Sequence, residues 1–421
     1  MKWPTWLLAL TVLILGLGMF LACGDDDDDD NDDNDDVDDD DVDDDDDDDD
    51  DDDNDTDDDD DDNDTGDDDT EEEEWPGPPW YGCTDEDEPS TATIVTAFEL
   101  VDHYYDGDDN QRVVDKQVTF PDGDWEQVTM RVELSCPADG DCDNWDRIAY
   151  VFFIDNAGQP EEEALEMWRY ITPYNIGMCM LADVTAFAPL LTGTQTIRSQ
   201  IDTWVGPNSV GDGHGWRVTI KFIFHPAKDE AAPDHIFNLW ESQSIEVGNP
   251  DNPINDQIGV KSATLPATVS KAEVRVLVTG HGQGNKDNCA EFCLLDQVVK
   301  VNGTPFSFDP WRLDCALNPN GPGQAGTWNY SRAGWCPGAP VVPQVFDVTD
   351  QVTAGAENTF SYEVWEDEDV LYENTCRPGA GNDDNYCEGC VFDDTAGNCD
   401  YNSTFHTTPT DRIAVQLFVW E

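Results

Sequence analysis

The sequence predicts an all-β protein made of β-sandwiches, and three features of the chain after residue 90 support this. Apolar and polar residues alternate in short runs, which is typical of strands with one buried face. Gly, Asn, Asp and Pro separate these runs at roughly regular intervals, as turns separate the strands of a sandwich. No long amphipathic helical pattern accompanies them. The clearest predicted strands are 128–134, 147–154, 216–224, 272–278, 360–364 and 412–420.

The first 23 residues resemble a bacterial lipoprotein signal peptide. Lys2 precedes an apolar run from residue 6 to 22, and Cys23 stands where lipoproteins are acylated. An apolar run of this length before a small residue indicates a cleaved signal rather than a membrane-spanning helix. An ordinary signal peptide with a coincidental cysteine is the alternative. We expect an extracytoplasmic protein that contacts the bacterial (outer) membrane only through a lipid on Cys23.

A strongly acidic segment follows the signal. Residues 25–74 contain 36 Asp and 4 Glu, and such a segment repels itself and cannot collapse. It is either a solvated linker or a stalk that binds Ca²⁺ loosely. From residue 75 onward, 56 acidic residues still outnumber 18 basic ones. Nucleic acid and anionic lipid are therefore not expected as partners, because binding them depends on clustered Lys and Arg. A neutral substrate such as a sugar fits better.

A weak internal repeat indicates two similar sandwiches. The segment 183–185, Asp-Val-Thr, precedes a Thr-Gly turn and a strand that ends at Trp204. The segment 347–349, again Asp-Val-Thr, precedes an Ala-Gly turn and a strand that ends at Trp365. The alternation is lost between residues 226 and 233, which predicts a domain boundary. The predicted parts are a signal peptide at 1–23, an Asp-rich linker at 24–84, an N-terminal domain at 85–230, and a C-terminal domain at 231–421 with a Cys-rich insertion at 366–410.

The 13 cysteines favour disulfides, because 12 remain once Cys23 is assigned to the lipid, and exported chains with an even number usually pair them. The insertion contains Cys376, Cys387, Cys390 and Cys399. Four cysteines that include a Cys-x-x-Cys spacing could hold zinc. Outside the cytosol, two disulfides are the preferred interpretation.

Two short cysteine brackets, at 136–142 and 289–293, each present a carboxylate. The first runs into Trp145 and Asp146, and the second contains Glu291. A disulfide that closes so small a loop adds little global stability, so its main benefit is local rigidity. Considered by itself, Asp146 could be a turn residue or could form an ion pair with its neighbour. Glu291 by itself could be an ordinary surface acid. Together, each braced and beside an aromatic residue, they indicate a site with paired carboxylates.

The second half of the chain adds tryptophans beside Arg, Asn and Gly between residues 311 and 338. Indole faces stack on sugar rings, while Arg and Asn side chains bind hydroxyl and carbonyl groups. A single Trp of this kind is usually a core residue. Several of them together indicate a sugar-binding surface. The block contains Trp311, Arg312, Asp314, Asn318, Trp328, Arg332 and Trp335.

These segments resemble the peptide-N-glycosidase F family, bacterial amidases that remove intact N-linked glycans from asparagine. The matching motifs follow the family's order and extend over roughly residues 90–421. They are Glu133-Leu-Ser-Cys136, Cys142-Asp-Asn-Trp-Asp146-Arg147, Ile171-Thr-Pro-Tyr174, Cys289-Ala-Glu291-Phe-Cys293, Gly326-Thr-Trp328 and Arg332-Ala-Gly-Trp-Cys-Pro-Gly338.

The resemblance implies two eight-stranded antiparallel jelly-roll sandwiches packed side by side, with the active site between them. It places the principal catalytic aspartate on Asp146, the essential glutamate on Glu291 and a motif arginine on Arg332. It also implies three disulfides, which are Cys136–Cys142, Cys289–Cys293 and Cys315–Cys336. Cys83 and Cys179 are then expected to pair with each other, because the other cysteines have nearer partners.

Three positions depart from the family pattern. A third family acid, a glutamate, appears here as Asp202, which is one methylene shorter. His281 and Phe292 each stand where the family has Trp. A small displacement of a catalytic acid can cost orders of magnitude in rate. The predicted catalytic residues are Asp146, Glu291 and Asp202, and the predicted substrate-binding residues are Trp145, Arg147, Trp204, His281, Phe292, Arg332 and Trp335.

The expected reaction is hydrolysis of the amide between an asparagine side chain and a glucosamine, which needs an activated water and no metal or other cofactor. Asp146 is expected to orient or deprotonate the water, and Glu291 and Arg332 to bind the carbonyl and amine sides. The expected partner is an N-glycosylated protein or peptide, and the chain is expected to be a monomer.

Two alternatives remain. The first is a glycan-binding lipoprotein with the same fold that has lost turnover. The second is a copper-dependent monooxygenase-like activity, suggested by His281 and by the similarity of the fold to that of peptide monooxygenases. Copper sites need several imidazoles, and the six histidines of the chain show no paired ligand spacing.

Overall fold

In the described residues, the alternating runs of the sequence form sixteen main strands, which are arranged as two β-sandwiches. The predicted signal peptide, the acidic segment 25–74 and the four cysteines of the insertion lie outside the described residues. Within the described part, no helix is long and apolar enough to cross a membrane. The computed structural model describes residues 82–84, 87–138, 140–226, 232–282, 289–367, 370–373 and 409–421.

The first sandwich contains strands β1 to β8. One sheet has the strand order β1-β8-β3-β6 and the other has the order β2-β7-β4-β5. All neighbouring strands are antiparallel, and this order is that of a jelly roll. A short hairpin between β1 and β2 pairs Tyr105–Asp106 with Asp109–Asn110, and a 3₁₀-helix spans Thr185–Leu190. The strands are β1 Thr93–His103, β2 Val113–Phe120, β3 Trp125–Ser135, β4 Ile148–Asp155, β5 Glu163–Ile171, β6 Met178–Asp183, β7 Gly193–Ile201 and β8 Trp216–Pro226.

The second sandwich contains strands β9 to β16 and repeats this topology. Its sheets have the orders β9-β16-β11-β14 and β10-β15-β12-β13, again antiparallel throughout. The predicted fold class, two eight-stranded jelly-roll sandwiches, is therefore confirmed. The predicted boundary at 230–231 falls in the segment 227–231, outside the described residues. The strands are β9 His235–Glu246, β10 Lys261–Thr264, β11 Lys271–His281, β12 Asp296–Val301, β13 Thr304–Phe308, β14 Gln344–Asp347, β15 Glu357–Asp367 and β16 Thr410–Trp420.

Three short elements complete the second sandwich. A one-turn α-helix, α1, spans Ile254–Ile258 between β9 and β10, and a 3₁₀-helix spans Cys315–Leu317. Val370–Leu371 pairs with β15 at the base of the Cys-rich insertion.

The internal repeat marks the same corner in both sandwiches. Asp183 ends β6 and Asp347 ends β14, which are the sixth strands of their sandwiches. The carboxylate of each Asp accepts hydrogen bonds from the backbone N–H and the hydroxyl of the Thr two residues later. Thr185 and Thr349 each also accept a hydrogen bond, at 3.0 Å, from a backbone N–H of the third strand of their own sandwich. The repeat in sequence is therefore a repeat in structure.

Each sandwich has its own core, and β11 is buried on both faces. Ala272, Val274, Val276 and Val278 pack inside the second sandwich. The alternate residues of the same strand face the first sandwich, because side chains alternate along a strand. Leu277, for example, packs with Ile171 of β5. This second face ends at His281, so the strand leads directly from the interface between the sandwiches to the candidate site.

A buried ion pair lies between the sandwiches. Strand β5 carries an extra residue opposite β4 between Glu166 and Trp168. This bulge shifts the alternation by one residue, so Glu166 and Arg169 lie on the same face. Arg169 donates from Nε and Nη2 to the Glu166 carboxylate at 2.7 and 2.8 Å. Arg169 also donates from Nη1 to Thr279 Oγ1 of β11 at 3.0 Å, so the pair links the two sandwiches.

The edge of the first sandwich at β5 is covered by a loop of the second. Ile171 N–H donates to the Ala339 carbonyl at 3.0 Å, and Val341 N–H donates to the Arg169 carbonyl at 2.9 Å. An unpaired sheet edge is open to unwanted pairing, and here the loop occupies it. The loop thereby fixes the position of the preceding Arg332 to Gly338 motif beside β5.

The described residues contain four disulfides, Cys83–Cys179, Cys136–Cys142, Cys289–Cys293 and Cys315–Cys336, and these are the pairs expected for those eight cysteines. Cys83–Cys179 fastens the segment before β1 to β6. Glu88 of the same segment forms salt bridges with Arg131 at 3.3 Å and Lys221 at 2.7 Å. The entry of the chain into the first sandwich is thus fixed at three points.

Candidate active site

A cavity of about 510 Å³ lies between the two sandwiches and contains both carboxylates singled out in the sequence. Asp146 enters it from the first sandwich, and Glu291 enters it from the second. The first sandwich also contributes Trp145, Ile148, Ile171 and Tyr174, and the second contributes His281, Phe292, Thr327, Tyr330, Arg332 and Trp335.

Asp146 is positioned by the loop that joins β3 to β4, and the buried Asp143 holds this loop together. The Asp143 carboxylate accepts hydrogen bonds from Arg147 Nε at 2.8 Å, Thr203 Oγ1 at 2.6 Å and the Trp145 N–H at 3.0 Å. A buried carboxylate is tolerated only when it is paired in this way. The Cys136–Cys142 disulfide closes the start of the same loop. The predicted substrate-binding residue Arg147 is therefore committed to Asp143 and does not line the cavity.

Two opposing effects act on the Asp146 carboxyl. Burial raises its pKa above the usual range, while the Tyr174 hydroxyl, which donates to Oδ2 at 2.9 Å, and the charges of Arg332 and Arg147 favour the ionised form. Burial is the larger effect. Asp146 is therefore a carboxylate held in a poorly solvated position by one hydroxyl and two nearby cations.

Tyr174 is itself held by the second sandwich. Its backbone N–H donates to Gln324 Oε1 at 3.0 Å. Its ring lies against Gly326, where an added Cβ would approach the ring to 3.0 Å and where φ is +71°. Only glycine adopts this backbone without strain and leaves room for the ring. The Gly326-Thr-Trp328 motif thus supports the residue that contacts Asp146.

Glu291 is positioned by the small loop that follows β11. The Cys289–Cys293 disulfide closes this loop, and its backbone is bonded on both sides: Glu291 N–H donates to the Gly282 carbonyl at 3.1 Å, and Ala333 N–H donates to the Glu291 carbonyl at 2.9 Å. Gly280 permits the close approach, because a Cβ there would lie 2.3 Å from the Ala290 carbonyl oxygen. Burial raises the pKa of Glu291 to about 7, opposed by Arg332 and assisted by the charge of Asp146.

Arg332 is a buried cation whose hydrogen bonds are directed at the protein. It donates from Nε to Glu291 Oε1 at 3.1 Å, from Nη1 to the Thr327 and Tyr330 carbonyls at 3.0 Å, and from Nη2 to Thr327 Oγ1 at 2.8 Å. Its guanidinium carbon also lies 5.2 Å from the Phe292 ring centroid. Arg332 therefore fixes Glu291 and supplies positive charge near both carboxylates.

The predicted residues His281 and Trp335 pack on each other in the wall of the cavity. Their ring centroids are 5.6 Å apart with an angle of 29° between the planes. Trp335 is buried, donates from Nε1 to the Gly280 carbonyl at 2.8 Å, and lies 4.7 Å from the Arg332 guanidinium carbon. By contrast, Trp145 is 48% exposed at the cavity, so its indole face is available to a ligand.

Asp202 and Trp204 are not among the residues that line the cavity. The Asp202 carboxylate accepts hydrogen bonds from Gln200 Nε2 at 2.8 Å and from the Tyr150 hydroxyl at 3.5 Å. Trp204 is 60% exposed and stacks with Arg112, whose guanidinium carbon is 4.4 Å from the indole. The structure thus brings together Asp146 and Glu291. The third predicted acid, Asp202, lies next to the cavity wall, because its backbone N–H donates to the carbonyl of Ile148 at 3.0 Å.

Four polar residues of the site were not predicted individually. Tyr174 and Thr327 lie inside the matched motifs, so the sequence marked their segments as part of the site but did not show what these two side chains do. Asp143 stands in the first bracket motif, and only its burial distinguishes it from the exposed Asp141 nearby. Tyr330 lies between two motifs and gave no signal. Polar groups that support a catalytic side chain are placed by the fold, and a linear pattern does not show this.

Across the described residues, no group of three or more His, Cys, Asp and Glu side chains has the geometry to hold a metal ion. Nε2 of His281 lies 2.8 Å from Thr279 Oγ1 and is thus already engaged within the protein.

Two jelly rolls that share a cavity with a pair of partly buried carboxylates define the class of protein, and comparisons with known proteins agree with this architecture. Residues 252–387 match the family model described as Peptide-N-glycosidase F, C terminal. The chain is 28% identical over 295 residues to the peptide-N(4)-(N-acetyl-beta-D-glucosaminyl)asparagine amidase F of Elizabethkingia miricola, covering 65% of this chain and 78% of that protein.

Solved structures show the same fold. A recombinant peptide: N-glycanase F has a TM-score of 0.60 at 20% identity, covering 79% of this chain and 96% of that chain. The glycosylasparaginase PNGase F from Flavobacterium meningosepticum has a TM-score of 0.56 at 21% identity, covering 78% and 96%. The family model and the named relative both support the peptide-N-glycosidase F family for this chain. The matched relative is by name an amidase, so hydrolase chemistry is supported at the level of the family.

Proposed function

We propose that this protein hydrolyses the amide bond between an asparagine side chain and the first N-acetylglucosamine of an N-linked glycan, releasing the glycan from a glycoprotein or glycopeptide. The observation that carries the proposal is the meeting of Asp146 and Glu291, one from each sandwich, in a single cavity. The relationship to a named amidase and the sugar-compatible wall of the cavity support it.

Asp146 is proposed to act on the water. As a carboxylate it accepts a proton from a water molecule, and the oxygen of that water forms a bond with the carbonyl carbon of the asparagine side chain. The Tyr174 hydroxyl and the Arg332 charge favour the ionised form of Asp146, and they oppose the larger effect of burial, which raises its pKa. A base in a poorly solvated site is more effective than one in water, because no hydration shell has to be removed during the reaction.

Glu291 is proposed to act on the leaving group. Its pKa of about 7 means that a large fraction is protonated near neutral pH. The protonated carboxyl donates its hydrogen to the amide nitrogen as the carbon–nitrogen bond breaks, which yields an aspartate side chain and a sugar amine. Arg332 holds Glu291 in place and stabilises the carboxylate that this transfer leaves behind.

The surface around the cavity suits a neutral, ring-shaped ligand. The Trp145 indole is exposed at the cavity, and indole faces pack on sugar rings. The excess of acidic residues after residue 75 disfavours anionic ligands. We infer an N-glycosylated protein or peptide as the substrate and a monomer as the working form.

The proposal is tested with the full-length protein and a dansylated N-glycopeptide, using mass spectrometry to detect conversion of asparagine to aspartate together with the free glycan. The wild type and Asp141→Asn, a control in the same disulfide-closed loop, are expected to convert the peptide, while Asp146→Asn is expected to be at least about 100-fold slower. No conversion by the wild type would refute the proposal.

A glycan-binding protein without turnover is the second candidate, and the position of Asp202 outside the cavity lining favours it. This candidate predicts that the wild type binds the glycopeptide without converting it. Recovery of conversion in Asp202→Glu would then assign the loss to the shortened side chain. Release only after copper and ascorbate are added would instead support the monooxygenase-like alternative.

We also propose that a lipid on Cys23 anchors the protein outside the cytoplasm. The anchor-like signal sequence and the four disulfides, which are typical of exported proteins, support this. Metabolic labelling with an alkyne fatty acid is expected to mark the wild type but not Cys23→Ala. Equal labelling of both, or none of either, would refute the anchor.

A further inference from the structure

A chain of hydrogen bonds runs from the ion pair between the sandwiches to the wall of the cavity. Arg169, which is paired with Glu166, donates from Nη1 to Thr279 Oγ1 at 3.0 Å. The same Thr279 oxygen lies 2.8 Å from Nε2 of His281, whose ring lines the cavity. Arg169 and Thr279 are both fully buried. The arrangement therefore connects a rigid part of the interface to one side chain of the site.

The directions of these hydrogen bonds determine which ring nitrogen of His281 carries hydrogen. A guanidinium has donors but no acceptor, so Thr279 Oγ1 must accept from Arg169. The hydroxyl hydrogen of Thr279 is then left to donate, and the bonded acceptor is His281 Nε2. A neutral imidazole that accepts through Nε2 carries its hydrogen on Nδ1.

The ring is also kept neutral and oriented. Burial lowers the pKa of His281 to about 3, and the charges of Arg169 and Arg412 act in the same direction. The ring lies nearly parallel to Trp335, which fixes its plane. Among the described residues, the side-chain hydrogen bond of His281 is the one at Nε2, which leaves Nδ1 for a ligand.

We propose that His281 contacts the substrate, donating from Nδ1 to a neutral oxygen of the sugar, and that Thr279 and Arg169 are positioning residues that hold the required tautomer. The inference rests on the proposed function, because it takes the glycan as the ligand. A neutral donor suits a hydroxyl oxygen or an acetamido carbonyl oxygen and gives no preference for charged ligands. His281 would thereby help to determine which sugar is accepted.

The tautomer is tested without any need for activity. Long-range ¹H–¹⁵N correlation spectra of the full-length protein distinguish a protonated Nδ1 from a protonated Nε2. The wild type and Thr279→Ser, which keeps the hydroxyl, are expected to show hydrogen on Nδ1, whereas Thr279→Val is expected to lose this preference. A wild-type spectrum with hydrogen on Nε2, or the same spectrum in Thr279→Val as in the wild type, would overturn the proposal.

The contact is tested by calorimetric binding of a glycopeptide to the full-length protein carrying Asp146→Asn, which prevents turnover. His281→Leu is expected to weaken binding about threefold to tenfold, the effect of losing one neutral hydrogen bond. His281→Asn places an amide nitrogen at the same bond distance from Cα as Nδ1, so its Kd is expected to stay within about twofold of the His281 protein. Equal weakening by both substitutions, or no effect of either, would overturn the contact.

A second peptide, bearing β-glucose in place of β-N-acetylglucosamine, distinguishes the two acceptor oxygens. If the effect of His281→Leu disappears with this peptide, the acceptor is the acetamido carbonyl, and if the effect persists, it is a hydroxyl. The outcome is separable from the proposed function. If the His281 variants change Kd as expected but the wild type releases no glycan, the His281 contact is supported and the amidase activity is refuted. If the wild type releases glycan but the His281 variants leave Kd unchanged, the amidase activity is supported and the His281 contact is refuted.

Discussion

Asp411 provides a sharp test of the structure, because it is an acid buried in the second sandwich, where burial is the largest effect on its carboxyl. It lies in β16 and is 1% exposed, and Gln297 Nε2 donates to its Oδ2 at 2.8 Å. Burial raises the pKa of Asp411 to about 7 from its usual 3.8, and the hydrogen bond from Gln297 opposes this only in part. Tyr362 in turn donates to Gln297 Oε1 at 2.8 Å, so the amide orientation is fixed.

The consequence for stability follows from proton linkage. Between pH 4 and pH 7 the folded protein keeps a proton on Asp411, while the unfolded chain ionises there, so stability falls as the pH rises through this window. Above pH 7 the loss is complete. The pKa of Asp411 differs by about three units between the folded and the unfolded protein, and each unit corresponds to about 1.4 kcal/mol. The free energy of unfolding is therefore lowered by on the order of 4 kcal/mol above pH 7. The substitution Asp411→Asn removes the ionisation and still accepts from Gln297, so it removes this penalty.

The assay is thermal unfolding of the wild type and Asp411→Asn from pH 4 to pH 8.5, followed by fluorescence. The two Tm values are expected to be close near pH 4 and to separate as the pH rises, until the variant is several degrees more stable at pH 8. The exposed Asp251→Asn serves as the control and is expected to follow the wild type. A Tm difference between Asp411→Asn and the wild type that does not change with pH would refute the reasoning.

Three further predictions concern the cavity. In kcat/KM profiles, the activity of the wild type is expected to fall as the pH rises through about 7, because Glu291 then loses its proton. Glu291→Gln is expected to be at least about 100-fold slower and to lack this descending limb. A descending limb that is unchanged in the variant would exclude Glu291 as the acid. Tyr174→Phe removes the hydrogen bond to the Asp146 carboxylate, which is worth about 1.5 kcal/mol or more. The ascending limb of the profile is therefore expected to move to higher pH, with about a tenfold loss of activity along that limb. A uniform loss at every pH would contradict this. Asp202→Glu is expected to increase kcat if the shortened acid limits turnover, and unchanged single-turnover rates would show that it does not.

The structure contains all six strands that the sequence predicts from short apolar runs between turn residues. Strand β5 was not predicted, because its charged residues Glu166 and Arg169 are buried and its bulge interrupts the alternation. In the linear sequence these charges look exposed. Only their pairing between the sandwiches makes burial tolerable, and that pairing depends on a second domain more than 100 residues away, where Thr279 accepts from Arg169.

The candidate site was partly predictable for a related reason. The brackets around Asp146 and Glu291 are local, so the sequence shows them. Their meeting in one cavity, the Tyr174 contact and the commitment of Arg147 to Asp143 are products of the fold. The position of Asp202 also depends on the fold, since the register of β7 against β4 determines where its carboxylate points.

The fold surrounds the two carboxylates of the cavity differently, and the proposed function assigns them different roles. Asp146 receives a hydrogen bond from Tyr174 and the attraction of two arginines, which favour its ionised form. Glu291 has Arg332 beside it, but the negative charge of Asp146 raises its pKa further. Ionisation of the first therefore favours protonation of the second, which is the arrangement that a base and an acid acting in one step require. A substitution that removes the Asp146 charge should accordingly lower the pKa of Glu291, and a titration of Glu291 in Asp146→Asn by NMR measures this coupling directly. If the pKa of Glu291 is the same with and without that charge, the two groups do not act as a pair.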